Sequence, residues 1–265
     1  MLGGPRRAAA AVIGTAVVVG ATLLFGGLHG TPGAPAAGED AAALLPAPVA
    51  PAFKPKLRPI DVATPVSRWA SVLRPVAVSR APGGHHPIAR LSTSTPEGTA
   101  NIVLLQPGVR LVHGRIWVRV RLPVLPNNTI GWVRRDALGG YGEVRTQLVV
   151  DRRLLTATLL RDGRKIFSAP VGVGAPQWPT PAGHFYVRNK LTTFDDPFYG
   201  PVAFGTSARS PVLTDWPAGG FIGIHGTNRP DLLPGRVSHG CIRMANDDIL
   251  RLARLMPVGT PVTVR

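Results

Sequence analysis

Cysteine and acidic residues are scarce in this chain of 265 residues. A single cysteine, Cys241, excludes an internal disulfide and a four-cysteine zinc cage. Only 14 Asp and Glu stand against 30 Lys and Arg, and the formal net charge of +16 favours anionic partners such as a membrane surface or a polyanionic cell wall. The sequence has no tight run of Lys and Arg, so we do not expect nucleic acid as a partner. Hydrophobic residues make up 45% and charged residues only 17%, which excludes a disordered chain and indicates packed domains.

A long uncharged apolar stretch, residues 8–28, follows Arg6 and Arg7 near the N-terminus. About 20 apolar residues are enough to cross a bilayer, and the preceding positive charges would stay in the cytoplasm. We therefore predict a transmembrane anchor over residues 1–28. A cleaved signal segment is the alternative, because Ala34-Pro35-Ala36 is a loose cleavage site. Both predictions place the rest of the chain outside the cytoplasm, in the cell envelope or secreted from it.

Two segments of different composition follow the apolar stretch. Residues 29–59 are dominated by alanine and proline without a hydrophobic period, which predicts a semi-extended linker. Residues 60–140 contain several short runs typical of β-strands, the clearest of which alternates apolar and polar residues over positions 116–122. This pattern predicts a small β-barrel. At Trp117-Val118-Arg119-Val120 and Gly131-Trp132-Val133 the segment resembles bacterial SH3-like domains, which implies either wall binding or a spacing and packing role.

The last segment, residues 144–265, is predicted to be mainly β with one short C-terminal helix. Strand patterns cover residues 147–151, 154–160 and 165–171, and Asp162-Gly163 is typical of a hairpin turn. Residues 190–220 show no helical period, and we expect a long irregular stretch there. Apolar residues at positions 249, 252, 253 and 256 predict a helix that Asn246 or Asp247 caps and Pro257 ends.

Two residues of this segment suggest nucleophilic chemistry. Phe221-Ile222-Gly223-Ile224 has the pattern of a buried strand and delivers His225 at its end, whereas Cys241 lies within Ser238-His239-Gly240-Cys241-Ile242-Arg243. A thiol beside an imidazole can form a thiolate and imidazolium pair, which is ready to attack an acyl group. Gly240 lets the backbone N–H groups of residues 239–241 converge on an oxyanion.

The single cysteine has two alternative roles. An isolated cysteine is often an inert, buried apolar residue, but here it stands in an extracytoplasmic segment between His and Arg. Zinc bound by His225, His239 and Cys241 is the second alternative, and the segment offers few acidic residues to support such ligands. We therefore predict no metal and no cofactor.

Residues 144–265 resemble the bacterial L,D-transpeptidase family. The resemblance is carried by two motifs, Ile224-His225-Gly226-Thr227-Asn228 and Ser238-His239-Gly240-Cys241-Ile242-Arg243, and is reinforced by Val171-Gly172-Val173-Gly174 and Thr180-Pro181-Ala182-Gly183-His184-Phe185. It implies a β-rich catalytic domain in which Cys241 is the nucleophile and His225 is the base. It also implies that the backbones of His239 and Gly240 form the oxyanion hole and that Ser238 braces the loop. Arg243 would hold a carboxylate of the substrate or lock the loop.

The implied reaction is peptidoglycan cross-linking. Cys241 would form a thioester with a tetrapeptide stem, release D-Ala and pass the acyl group to an amine of a second stem, giving a 3→3 cross-link. Some family members have Ser after the base where this chain has Gly226, so we expect a backbone carbonyl to orient His225. A cysteine carboxypeptidase or amidase that uses water, and a non-catalytic wall-binding protein, are the alternative functions.

Overall fold

The structure is a computed structural model that describes residues 66–192, 196–214 and 220–265. These residues fall within one compact unit and form two β-sheets. The predicted anchor (1–28) and linker (29–59) lie outside the described residues. Within the described ranges, no helix has the length and apolar character needed to cross a bilayer.

The first sheet has seven strands in the order β3-β2-β6-β5-β4-β1-β7. The strand predicted over residues 116–122 forms as β5, and Val118 and Val120 are buried in the core of this sheet. Its likeness to SH3-like domains stays a prediction. The strands are β1 (Ser67–Val72), β2 (Val76–Ser79), β3 (Pro87–Leu91), β4 (Ile102–Val112), β5 (Arg115–Arg121), β6 (Ile130–Arg134) and β7 (Leu138–Val144).

The second sheet has ten strands in the order β10-β9-β8-β17-β12-β13-β14-β16-β11-β15. The predicted turn at Asp162-Gly163 joins β9 to β10, and both residues have positive φ, as a tight hairpin requires. The elements are β8 (Thr146–Asp151), β9 (Thr156–Arg161), β10 (Arg164–Pro170), β11 (Gly172–Gly174), β12 (Gly183–Leu191), β13 (Ala203–Arg209), β14 (Phe221–His225), β15 (Gly235–Ser238), β16 (Ile242–Arg243), α1 (Asn246–Leu255) and β17 (Pro261–Val264).

The expectation of an irregular stretch over residues 190–220 is wrong in part, because strand β13 lies inside it. β13 is paired with β12 on one side and β14 on the other, so it occupies the interior of the sheet. Its sequence, Ala-Phe-Gly-Thr-Ser-Ala-Arg, has small and polar residues where a strand pattern would need apolar ones. The neighbouring strands bury these residues, and a single sequence does not show that burial.

The C-terminal helix α1 forms where its apolar spacing predicts it. Ile249 and Leu252 are fully buried, and the helix ends at Leu255, shortly before Pro257. The predicted cap is wrong. Ala245 precedes the first helical residue without a side-chain cap, and the Asn246 side chain instead accepts a hydrogen bond from the N–H of Thr227 at 2.9 Å. That contact ties the helix to the loop that follows β14.

Candidate active site

His225 and Cys241 meet because two neighbouring strands are parallel. β14 ends at His225 and pairs with β16, which begins directly after Cys241. The N–H of Gly223 donates to the Cys241 Sγ atom at 3.3 Å. A Cβ atom built on Gly223 would lie 3.7 Å from that sulfur and 3.6 Å from Cδ2 of His225. The thiol and the imidazole therefore border the same small space over Gly223.

The His225 side chain is held in one orientation by its own loop. It is only 1% exposed, and its Nδ1 atom lies 2.6 Å from the carbonyl oxygen of Gly226. A carbonyl can only accept, so Nδ1 carries the proton and Nε2 carries the lone pair. Nε2 is buried and has no hydrogen-bond partner among the described residues. A backbone carbonyl therefore orients the His225 side chain, as expected from the sequence.

Burial lowers the pKa of His225 to about 4, and the charge of Arg243 acts in the same direction, against the hydrogen bond to Gly226. The imidazole is therefore neutral at neutral pH and can accept a proton at Nε2.

Neighbouring atoms leave no room for a side chain at Gly226, the residue after His225. A Cβ atom on it would collide with Oδ1 of Asn246 and would lie 3.0 Å from Cα of Gly200. Asn246 thus occupies the space that a serine side chain would need.

The Cys241 thiol is also neutral at rest. Burial raises its pKa, although the hydrogen bond from Gly223 and the charge of Arg243 oppose that rise. Because the pKa of the imidazole is lowered at the same time, a preformed thiolate and imidazolium pair is not favoured, contrary to the expectation from the sequence. The arrangement suits a base that removes the thiol proton during the attack itself.

Hydrogen bonds brace the turn before Cys241 from two sides. The hydroxyl of Ser238 donates to the carbonyl oxygen of Cys241 at 2.5 Å and accepts from the N–H of Gly240 at 3.1 Å. The hydroxyl of Thr180 donates to the Gly240 carbonyl at 2.7 Å. Because Ser238 already holds the Gly240 N–H, the expected oxyanion role of that group is not supported. His239 is exposed, and its ring lies 4.1 Å from that of Trp178, centroid to centroid.

A cavity of about 120 Å³ opens onto the thiol and the imidazole. Arg243 is 7% exposed, its guanidinium lies 4.3 Å from the centre of the Phe198 ring, and its Nε has no hydrogen-bond partner among the described residues. Burial lowers its pKa, yet an arginine remains charged. The cavity wall includes Phe198, Tyr199, Phe221, His225, Cys241 and Arg243.

Phe198 was not predicted from the sequence as part of this wall. It lies in a short 3-10 helix, Pro197–Tyr199, that starts within the stretch expected to be irregular. Asp196 accepts a hydrogen bond from the N–H of Phe198 at 2.8 Å, and Pro197 follows it. An acidic cap before a proline is a helix-start signal that could have located this turn. Among the described residues, no three His, Cys, Asp or Glu side chains cluster closely enough to hold a metal ion.

Known proteins are similar in sequence to the part of the chain that carries this site. The L,D-transpeptidase catalytic domain family, YkuD, matches residues 145–264. The putative L,D-transpeptidase YkuD of Bacillus subtilis is 37% identical over 109 residues, which cover 41% of this chain and 59% of the relative. The putative L,D-transpeptidase YqjB of the same organism is 32% identical over 125 residues, which cover 44% of this chain and 69% of the relative.

Solved structures of L,D-transpeptidases are also similar. One from Enterococcus faecium is 25% identical, with a TM-score of 0.36, and the match covers 46% of this chain and 50% of that one. The chain spans 59% of the length of the first curated relatives that it matches. The family match and the identity to YqjB show that this chain belongs to the YkuD family of L,D-transpeptidase catalytic domains.

Proposed function

We propose that this chain is an extracytoplasmic L,D-transpeptidase that acts on peptidoglycan stem peptides, with Cys241 as nucleophile and His225 as general base. One observation carries the proposal. A neutral imidazole, oriented through Nδ1 by the Gly226 carbonyl, borders the same cavity as the Cys241 thiol, and its Nε2 has no hydrogen-bond partner within residues 66–192, 196–214 and 220–265. A thiol that served only for packing would not explain why a buried polar atom beside it lacks a partner among the described residues.

The first half of the proposed reaction forms a thioester. Nε2 of His225 takes the proton of the thiol as the sulfur attacks the carbonyl carbon of the bond after the third residue of a donor tetrapeptide. The imidazolium then protonates the amine of D-Ala, which leaves as the carbon–nitrogen bond breaks. The backbone N–H groups of His239 and Cys241 are the candidate oxyanion donors, and one good donor contributes about 3 to 4 kcal/mol.

The second half transfers the acyl group. An amine of a second stem attacks the thioester carbon and loses a proton to Nε2 of His225. The carbon–sulfur bond breaks, and the departing sulfur takes that proton back to restore the thiol. The product is a 3→3 cross-link, whereas water in place of the amine would give a carboxypeptidase.

Arg243 is the candidate group for binding a substrate carboxylate. Its guanidinium is buried in the cavity wall with Nε unpartnered among the described residues, so a carboxylate would satisfy a donor that the protein leaves open. The net charge of +16 would attract the protein to an anionic cell wall or membrane surface.

Intact mass of the full chain in detergent tests the proposal. The protein is incubated with a carbapenem or a disaccharide tetrapeptide, in parallel with Cys241→Ala. We expect a covalent adduct and, with the tetrapeptide, free D-Ala, neither of which the variant should give. His225→Gln should slow acylation about 10²- to 10⁴-fold. A folded, unmodified protein in all reactions would instead favour a wall-binding function, and hydrolysis that an added amine does not divert would favour a carboxypeptidase.

A further inference from the structure

Phe221 connects the cavity to the rest of the molecule. It begins strand β14 and forms part of the cavity wall. Two guanidinium groups lie over its ring, that of Arg188 at 3.6 Å and that of Arg209 at 5.0 Å from the ring centre. Contacts between arginine and an aromatic face are strongest when water is excluded, and Arg188 is only 2% exposed. The position of Phe221 therefore depends on what holds the two arginines.

The carboxylate of Glu97, in the segment between β3 and β4 of the first sheet, holds Arg188. Nη2 of Arg188 donates to Glu97 at 3.0 Å, and its Nε donates to the carbonyl oxygen of Thr206 at 2.9 Å. The other oxygen of Glu97 accepts from the side chain of Asn189 at 3.1 Å. Burial alone would raise the pKa of Glu97. The charge of Arg188 and the hydrogen bonds to the carboxylate together outweigh that effect, so the pKa is lowered and the carboxylate is ionised. Removing this charge would leave a buried arginine without its counter-ion.

Arg209 is held through its backbone by Asn127, which lies in the loop between β5 and β6. The Asn127 side chain donates to the carbonyl oxygen of Arg209 at 2.7 Å and accepts from its N–H at 3.0 Å. This pair of hydrogen bonds fixes the end of β13 where Arg209 pairs with Phe221 of β14. Two separate loops of residues 66–144 thus converge, through one arginine each, on the same aromatic ring.

We propose that Glu97 and Asn127 are positioning residues of the active site, which hold Arg188 and Arg209 and thereby fix Phe221 and the start of β14. β14 carries both the Gly223 N–H that contacts the sulfur and the His225 imidazole, so a shift at its start moves both. The first sheet then contributes to the rate of acylation as well as to spacing. This inference rests on the proposed function, because it concerns the same thiol and base.

The test measures the rate at which a carbapenem acylates the full chain, at carbapenem concentrations up to saturation. Intact mass monitors the reaction, under conditions where each variant is folded. Glu97→Gln keeps the shape of the side chain and removes its charge. Glu143→Gln is the matched control, since it removes an ion pair with Arg68 that lies within the first sheet. We expect Glu97→Gln to lower the maximal acylation rate about 10- to 100-fold and the control to change it by less than about 2-fold.

A double-mutant cycle separates positioning from general stability. If Glu97 acts through Phe221, combining Glu97→Gln with Phe221→Leu should cost less than the product of the two single losses. A second cycle combines Asn127→Ala with Phe221→Leu. It tests the inference by itself if Glu97→Gln does not fold. Unchanged rates in the folded variants, or losses that multiply, would overturn the inference while acylation of the unmutated protein still supports the proposed function. Failure of the unmutated protein to react would refute both.

Discussion

The buried imidazole makes the stability of this protein depend on pH in a way that one substitution should remove. The pKa of His225 is about 4 in the folded chain against an ordinary value of 6.5. Between these values the unfolded chain binds a proton that the folded chain excludes, so stability is lost as pH falls. Lowering the pH from about 7.5 to about 5 should cost about 2 kcal/mol through this residue alone.

Urea unfolding of the unmutated chain and of His225→Gln at both pH values measures that contribution. The variant cannot take up the proton, so the difference in unfolding free energy between the two proteins should shift by about 2 kcal/mol between the two pH values. Comparing the two proteins cancels the acid sensitivity of carboxylates such as Glu97, which both share. His86→Gln, at an exposed histidine, serves as the control and should track the unmutated chain. A difference that stays constant within about 0.5 kcal/mol would refute a neutral, buried His225.

Three further outcomes follow from the same site. Ser238→Ala should lower the free energy of unfolding by about 1 to 3 kcal/mol and slow acylation, because the N–H of Gly240 loses a buried acceptor. Urea unfolding measures the first effect, and intact mass measures the second. Gly226→Ala should cost about 1 to 3 kcal/mol by collision with Asn246 and should impair acylation, and a stable, fully active variant would contradict that crowding. Iodoacetamide should alkylate Cys241 more slowly in the folded chain than in urea at neutral pH, because burial raises the pKa of the thiol; faster alkylation of the folded chain would indicate a preformed thiolate and contradict this prediction.

Local patterns were sufficient to predict several strands, among them the buried strand that ends at His225, but not the strands on either side of Cys241. Alternation revealed β5, because Val118 and Val120 face one core. β13 was missed because its small residues become interior only through pairing with strands distant in sequence. The ionisation of His225 could not be predicted either, since it depends on burial by the assembled sheet rather than on neighbouring residues. The hydrogen bond from Gly240 to Ser238 likewise depends on how the turn closes.

Strand β17 has a consequence for how this protein is made. It covers Pro261–Val264, yet it lies in the interior of the ten-stranded sheet, where it joins β8 to β12. Gln147 and Thr263 contact each other across 116 positions of sequence, and closing so long a loop costs conformational entropy before any pairing compensates. During synthesis one edge of β8 and one edge of β12 stay unpaired until β17 has emerged, since β17 is their shared neighbour in the sheet. Unpaired strand edges promote aggregation, so a chaperone that covers such edges would protect the nascent chain during that interval.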